Sequence, residues 1–197
     1  MASPEDQPSI TLGTFHSLDR FSNAWYDRGA PCWKEILWRM VSYLWFEGRM
    51  PLPSAWRVFW LRVFGARVGD HVVIRAKVTI TMPWRLTLGD HVWIGEEVFI
   101  LSLGEVSIGA HSVISQRAFL CCGSHDYRST DFKLLQRPIR IGQQAWIAAQ
   151  AFVGEGVLIG DGTVVTAGSV VTHDIPAGVI VRGNPAVVVK PRPRANS

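Results

Sequence analysis

Cysteine is scarce in this sequence: Cys32, Cys121 and Cys122 are the only three in 197 residues. An odd count with no metal-type spacing excludes a disulfide scaffold and a zinc finger, and points to a reducing, cytoplasmic compartment. Long apolar runs are missing too. No stretch of about 18 consecutive apolar residues occurs, which excludes a bilayer-spanning helix. The opening Met1-Ala2-Ser3-Pro4-Glu5-Asp6 has neither a basic n-region nor an apolar h-region, so no signal peptide is expected. Charged residues are only 18% of the chain, whereas 48% is hydrophobic, which excludes a disordered protein. The length suits one ordinary domain with a small appendage.

The net charge of +4 is unevenly placed. Residues 1–32 sum to −2, residues 33–67 to +4, residues 68–181 to −2 and residues 182–197 to +4. A nucleic-acid partner would call for a basic stripe over the folded body, and the body here is slightly acidic. Nucleic acid is therefore not an expected partner. Two separate basic ends suit a membrane surface, a phosphorylated ligand, or both.

From Val68 onward an aliphatic residue recurs every six positions within groups of three: Val68, Ile74, Ile80; Leu88, Ile94, Ile100; Ile108, Ile114, Leu120; Ile141, Ile147, Val153; Ile159, Val165, Val171. Calling each of these position i, glycine often follows at i+1, as in Gly69, Gly89, Gly109, Gly142 and Gly160. Small or β-branched residues fill i+4, as in Val72, Ser112, Ala118, Ala145 and Thr163. A helix would need apolar residues at i, i+3, i+4 and i+7, which this pattern never supplies. A short strand followed by a turn puts i and i+4 on one face, and the glycines are expected to supply turn conformations that a Cβ would penalise. Such hexads mark a parallel β-helix of three-sided coils, left-handed in this short-hexad form. The predicted fold is mainly β: a β-helix over residues 68–181, preceded by an N-terminal arm and amphipathic helices over 1–67 and followed by a basic tail over 182–197. One long insertion, about residues 126–138, interrupts the coils.

The same register sends position i+5 outward. Val73, Trp93, Val113 and Trp146 form one apolar stripe, and Thr79, Phe99, Phe119 and Phe152 a second. A cyclic homotrimer would cover them, and so would packing of the N-terminal segment over one stripe. Upstream, Trp33, Ile36, Leu37, Met40, Val41, Leu44 and Trp45 fall at helical spacing, Pro51 and Pro53 interrupt, and a second helix is expected over Trp56–Phe64. Two compatible readings are open for these helices: a cap on the end of the β-helix, and a peripheral patch on the inner membrane face.

The chemistry-bearing residues are few. His71, His91 and His111 share position i+3 and should stack as a solvated ladder about 4.8 Å apart, without the convergence a metal needs. His16 has no evident partner. His125 points outward at the mouth of the insertion, where a solenoid builds its binding site, and a neutral imidazole there can act as a general base. Cys121 and Cys122 lie close in sequence, but nothing lowers a thiol pKa, which argues against a covalent mechanism.

The stretches Cys122-Gly123-Ser124-His125-Asp126, Ile139-Arg140-Ile141-Gly142-Gln143-Gln144-Ala145-Trp146-Ile147 and Gly183-Asn184-Pro185-Ala186 resemble those of hexapeptide-repeat O-acetyltransferases, most closely those of colanic acid biosynthesis. The resemblance implies a homotrimer that moves an acetyl group from acetyl-CoA to a sugar hydroxyl of a bacterial exopolysaccharide. It places the catalytic base at His125. It implies cofactor contacts at Trp146, Ala149, Ala167, Thr172, His173, Arg182 and Lys190, with Arg192 nearby. Asp126 is expected to orient the imidazole or hold the acceptor, Glu97 to meet a sugar hydroxyl, and a backbone N–H near Ala148 or Ala149 to stabilise the oxyanion. No metal is expected, and the acceptor is a sugar or a lipid-linked oligosaccharide. Two other functions remain open on the residues alone: a zinc hydratase of the β-helix carbonic-anhydrase type, and a non-catalytic β-helix for assembly.

Overall fold

The computed structural model describes residues 16–48 and 52–194. These residues fall into two units: residues 27–124 with 136–194, and residues 16–26 with 125–135.

The first unit is a parallel β-helix with three sheets, one per face. Face A stacks Arg67–Val68, Leu86–Leu88, Val106–Ile108, Ile139–Ile141 and Leu158–Ile159. Face B stacks Val73–Ile74, Trp93–Ile94, Val113–Ile114, Trp146–Ile147, Val164–Val165 and Val179–Gly183. Face C stacks Thr79–Ile80, Phe99–Leu101, Phe119–Cys121, Phe152–Val153 and Val170–Val171. The pairing is in register with the hexads: Ile74 lies against Ile94, Ile94 against Ile114, and Ile114 against Ile147. Every position i from Ile74 to Val171 is buried, and Val68 at the open end is half-buried. Position i+4 is buried with them at Val72, Ser112, Ala118, Ala145 and Thr163.

The glycines at i+1 have a different cause from the one expected. None of Gly69, Gly89, Gly109, Gly142 or Gly160 takes a positive φ. A Cβ on Gly109 would lie 2.4 Å from the Gln143 backbone nitrogen of the next coil, and one on Gly160 would lie 2.4 Å from that of Ala177. Close approach between coils, not turn conformation, excludes a side chain there. The left-handed residues sit at i+3 instead, and in the early coils they are not glycine: His71, Lys77, His91, Glu97, His111, Arg117, Gln144 and Gln150 all have φ between 55° and 60°.

A β-helix leaves its first coil with unpaired backbone groups, and the two N-terminal helices meet them. Helix α1 is Cys32–Val41, continued by a wider turn over Ser42–Phe46, and α2 is Ser54–Val63. The Trp38 indole donates to the Ile80 carbonyl at 2.7 Å, and the Lys77 N–H donates to the Phe46 carbonyl at 2.7 Å. Ser54 Oγ accepts from the Ile74 N–H at 2.7 Å and donates to the Val72 carbonyl. Arg57, buried on α2, donates to the carbonyls of Trp45, Leu52 and Ile74. Trp38, Val41, Phe46, Val58, Leu61 and Phe64 close the core of the first coil. Capping is thus satisfied by one side of these helices. At the other end, Ala186–Pro191 runs antiparallel to Val179–Gly183, so eight of the described residues 182–194 of the basic C-terminal stretch are strand.

The second unit is the N-terminal arm and the inserted loop. The loop closes on itself where the Asp126 N–H donates to the Lys133 carbonyl at 2.8 Å. The arm lies along it, with the Ser17 N–H on the Thr130 carbonyl at 2.9 Å and the Lys133 ammonium over the Trp25 ring.

Candidate active site

His125 is held by its own loop. Its Nδ1 lies 2.8 Å from the Phe132 carbonyl oxygen, and its ring stacks on the Phe132 ring with centroids 4.4 Å apart and planes 5° apart. A carbonyl can only accept, so Nδ1 carries a proton in this geometry, which in a neutral imidazole leaves the lone pair on Nε2. Phe21 of the arm meets the imidazole at a tilt. His16 stacks on Phe132 at 4.6 Å, which supplies the partner that its place in the sequence did not reveal.

Asp126 turns the loop. Its Oδ1 accepts from the Arg128 N–H at 3.0 Å and its carbonyl accepts from the Ser129 N–H. The imidazole is therefore oriented by the Phe132 backbone, and Asp126 fixes the loop that carries Phe132. Glu97 stands in the i+3 column between two cations, with Oε1 on Lys77 at 2.9 Å and Oε2 on Arg117 at 2.7 Å. The hydrogen bonds from Arg117 and then Lys77 hold its carboxyl down at about 2.

Of the cofactor candidates, Trp146, Arg182 and Lys190 lie on the strands of face B. Trp146 is 46% exposed, and its indole donates to Ser115 Oγ at 2.9 Å. One row across the sheet runs Trp146, Val164, Ile180, Lys190. Ala149 and Ala167 succeed one another at the corner beside this row, joined by the Gly168 N–H on the Ala149 carbonyl. Arg182 and Lys190 are exposed, with no ion pair to either among the described residues. Arg192 is tied down instead, donating to the carbonyls of Gln144 and Gly162. Thr172 and His173 bond one another at 2.9 Å after the last strand of face C. The Ala148 N–H is bonded to the Val165 carbonyl, which removes it as an oxyanion donor.

Among the described residues the cysteines and the other histidines form no second centre of this kind. Burial pushes the Cys122 thiol up to about 11 and raises that of Cys121, so neither supplies a thiolate near neutrality. His71, His91 and His111 stack at 4.9 and 4.7 Å with planes 12° apart, which sets their nitrogens side by side and not around one point. Among the described residues no group of three or more His, Cys, Asp or Glu side chains is placed to hold a metal ion.

Over 165 residues the chain is 51% identical to the colanic acid biosynthesis acetyltransferase WcaF of Escherichia coli, covering 84% of this chain and 91% of that protein. The same holds for WcaF of Shigella flexneri. The chain belongs to the hexapeptide-repeat acetyltransferases. Residues 138–173 match the model of the bacterial transferase hexapeptide family, six repeats. Among solved hexapeptide-repeat acetyltransferases, one from Vibrio cholerae in complex with acetyl coenzyme A is 27% identical, with a TM-score of 0.73 over 84% of this chain and 92% of that one. A galactoside acetyltransferase in complex with coenzyme A is 25% identical, with a TM-score of 0.74 over 80% of each chain. In this hexapeptide-repeat acetyltransferase, sequence reasoning missed Phe132, Phe21 and Ser115. Phe132 carries one local sign, a non-glycine residue at φ 49°, which exists only in the folded loop.

Proposed function

We propose that this protein transfers an acetyl group from acetyl-CoA to a sugar hydroxyl in exopolysaccharide biosynthesis, with His125 as general base. The observation that carries the reading is the Nδ1 bond to the Phe132 carbonyl, which leaves Nε2 free to take a proton. Nε2 removes the proton of the acceptor hydroxyl as that oxygen attacks the thioester carbonyl. The imidazolium then returns the proton to the departing thiolate, so the base is regenerated without a covalent enzyme intermediate. The raised thiols of Cys121 and Cys122 favour this direct transfer over a relay through cysteine.

Trp146, Ala149, Ala167 and Lys190 would hold the acetyl-CoA along face B, with Arg182 and Lys190 meeting its phosphates and Thr172 and His173 further along. Asp126 acts by fixing the loop. The two outward stripes support assembly as a cyclic homotrimer: Trp93 is 51% exposed, and Phe99 stacks on Phe119 with neither ring fully buried.

The test is release of the CoA thiol against a panel of sugars, nucleotide-linked sugars and lipid-linked oligosaccharides. His125→Ala should lower kcat about 10²–10⁴-fold while acetyl-CoA binding stays close to that of the wild type. Undiminished turnover in that variant would overturn the assignment.

A further inference from the structure

The apolar stripe of α1 that the sequence makes most conspicuous is the side the fold leaves uncovered. Trp38 and Val41 turn inward to the first coil. Trp33, Ile36, Leu37 and Met40, spaced i, i+3, i+4 and i+7, face outward, and Trp33 is 65% and Met40 58% exposed. Leu44 and Tyr43 continue this surface on the following turn, and Trp56 and Phe59 are exposed on α2. A helix stripe normally faces the core, and its outward display on a helix already anchored by its other side calls for an occupant.

Charge and composition select that occupant. Residues 33–67 hold six basic and two acidic side chains. Three of the bases are engaged elsewhere: Arg57 is buried on backbone carbonyls, Arg62 bonds the Val68 and Gly69 carbonyls and pairs with Asp70 at 3.6 Å, and Lys34 lies over the Trp84 ring. Of the acids, Glu35 is paired with Arg28 at 2.6 Å and Glu47 accepts from the Ser42 hydroxyl at 3.0 Å. Arg39 lies one residue from Met40, exposed, with no partner among the described residues, and Arg67 is exposed at the start of the first coil. Indole and phenol rings on the helix that carries the exposed, unpaired Arg39 guanidinium suit the boundary between acyl chains and anionic headgroups. Isologous pairing with a second copy would bring two uncompensated Arg39 guanidinium groups into one interface. No helix among the described residues is long and apolar enough to cross a membrane, so the contact is with one leaflet.

We propose that the outward side of α1, extended by Trp56 and Phe59 of α2, docks this protein onto an anionic phospholipid bilayer. The docking stands on the helix surface alone and not on the transfer reaction, so it is measured without acetyl-CoA or acceptor.

The experiment is co-sedimentation of the full chain with vesicles of phosphatidylcholine alone and of phosphatidylcholine mixed with phosphatidylglycerol. The wild type should pellet with the mixed vesicles, less so as salt rises. The combined variant Trp33→Ser, Leu37→Ser, Met40→Ser removes only exposed side chains and should bind at least about tenfold more weakly, with an unchanged melting temperature. Arg39→Glu, which spares the apolar surface, should weaken binding to the anionic vesicles by about fivefold or more and leave the pure phosphatidylcholine result alone. Wild-type protein that stays in the supernatant with both vesicle types would overturn the proposal. So would undiminished binding by both variants. A serine variant that changes the oligomer mass in light scattering would assign the surface to a subunit contact instead, and also overturn it.

Discussion

The carbonyl oxygen of Phe132 meets Nδ1 of His125 at 2.8 Å because Phe132 itself sits at φ 49°, in the left-handed region. A bulky side chain is uncommon there and costs about 1–2 kcal/mol. The same residue supplies the ring on which the imidazole lies. Backbone and side chain of one loop residue thus set the Nδ1 partner and the plane of the His125 imidazole.

The two contributions separate by substitution. Phe132→Gly keeps the left-handed backbone and its carbonyl and removes only the ring, a loss of about 0.5–1.5 kcal/mol of stacking. Its kcat should fall no more than about tenfold. Phe132→Val cannot hold that φ easily, so the carbonyl should swing from Nδ1 and kcat should fall further than in the glycine variant. Nitrogen NMR of the His125 ring should show the Nδ1–H tautomer in wild type and Phe132→Gly, and a mixture in Phe132→Val. The reverse order of activities would make the ring, not the carbonyl, the positioning group.

The β-helix was legible in the sequence because its code is local and repeated. A hexad states which residue is inside, and the buried run from Ile74 to Val171 follows it without exception. The glycine signal was legible as a position but not as a cause: the clash that excludes a Cβ at Gly109 is with Gln143, in a coil that only the register of stacking brings near. The candidate site was half legible. His125 was marked by its place at the insertion, whereas Phe132 meets it from the loop, Phe21 meets it from the arm and His16 stacks on Phe132, in segments with no period to read. The stripe of α1 was found as a helix signal, but periodicity cannot say which side of a helix the fold will cover, and here it covered the Trp38 side.

Two glycine classes should respond unequally, and for different reasons, to the same change. Gly109→Ala places a methyl 2.4 Å from the Gln143 nitrogen and 2.6 Å from the Gly142 carbonyl carbon, both backbone, so whole coils must part. Denaturant unfolding should show a loss of about 3 kcal/mol or more. Gly162→Ala meets nothing within 4 Å but must hold φ +64°, which costs about 1 kcal/mol. Gly162→Asn should cost less than Gly162→Ala, since Asn tolerates that region. Equal losses at 109 and 162 would refute the distinction.

Glu97 predicts an acid limb in stability. Its carboxyl, held near 2 by Arg117 and Lys77 against an ordinary value of 4.5, favours the folded state while ionised. For a depressed carboxyl that contribution is complete above the unfolded value and is lost as pH falls through the folded one. Glu97→Gln should therefore melt below wild type above about pH 4.5, and the two melting temperatures should converge between pH 4.5 and 2. Added salt should narrow the gap, because the ladder is solvent-exposed. A gap that is constant down to pH 2 would mean that the ladder charges do not stabilise the coils.

The row Trp146, Val164, Ile180, Lys190 makes the cofactor reading testable at two distant points. Three strand spacings separate its ends, about 14 Å, far enough that the two side chains should act independently. Trp146→Ala removes a large exposed ring, and Lys190→Ala removes a cation with no competing partner among the described residues. Each should raise KM for acetyl-CoA about tenfold with kcat nearly kept, and the double variant should multiply the two effects. Higher salt should mimic Lys190→Ala but not Trp146→Ala. Arg192→Ala serves as the contrast. Its guanidinium is already bonded to the Gln144 and Gly162 carbonyls, so its loss should lower the melting temperature more than it changes KM. If Arg192 rather than Lys190 governs KM, the phosphates lie at the corner between faces A and B, and the row through Trp146 is not the binding line.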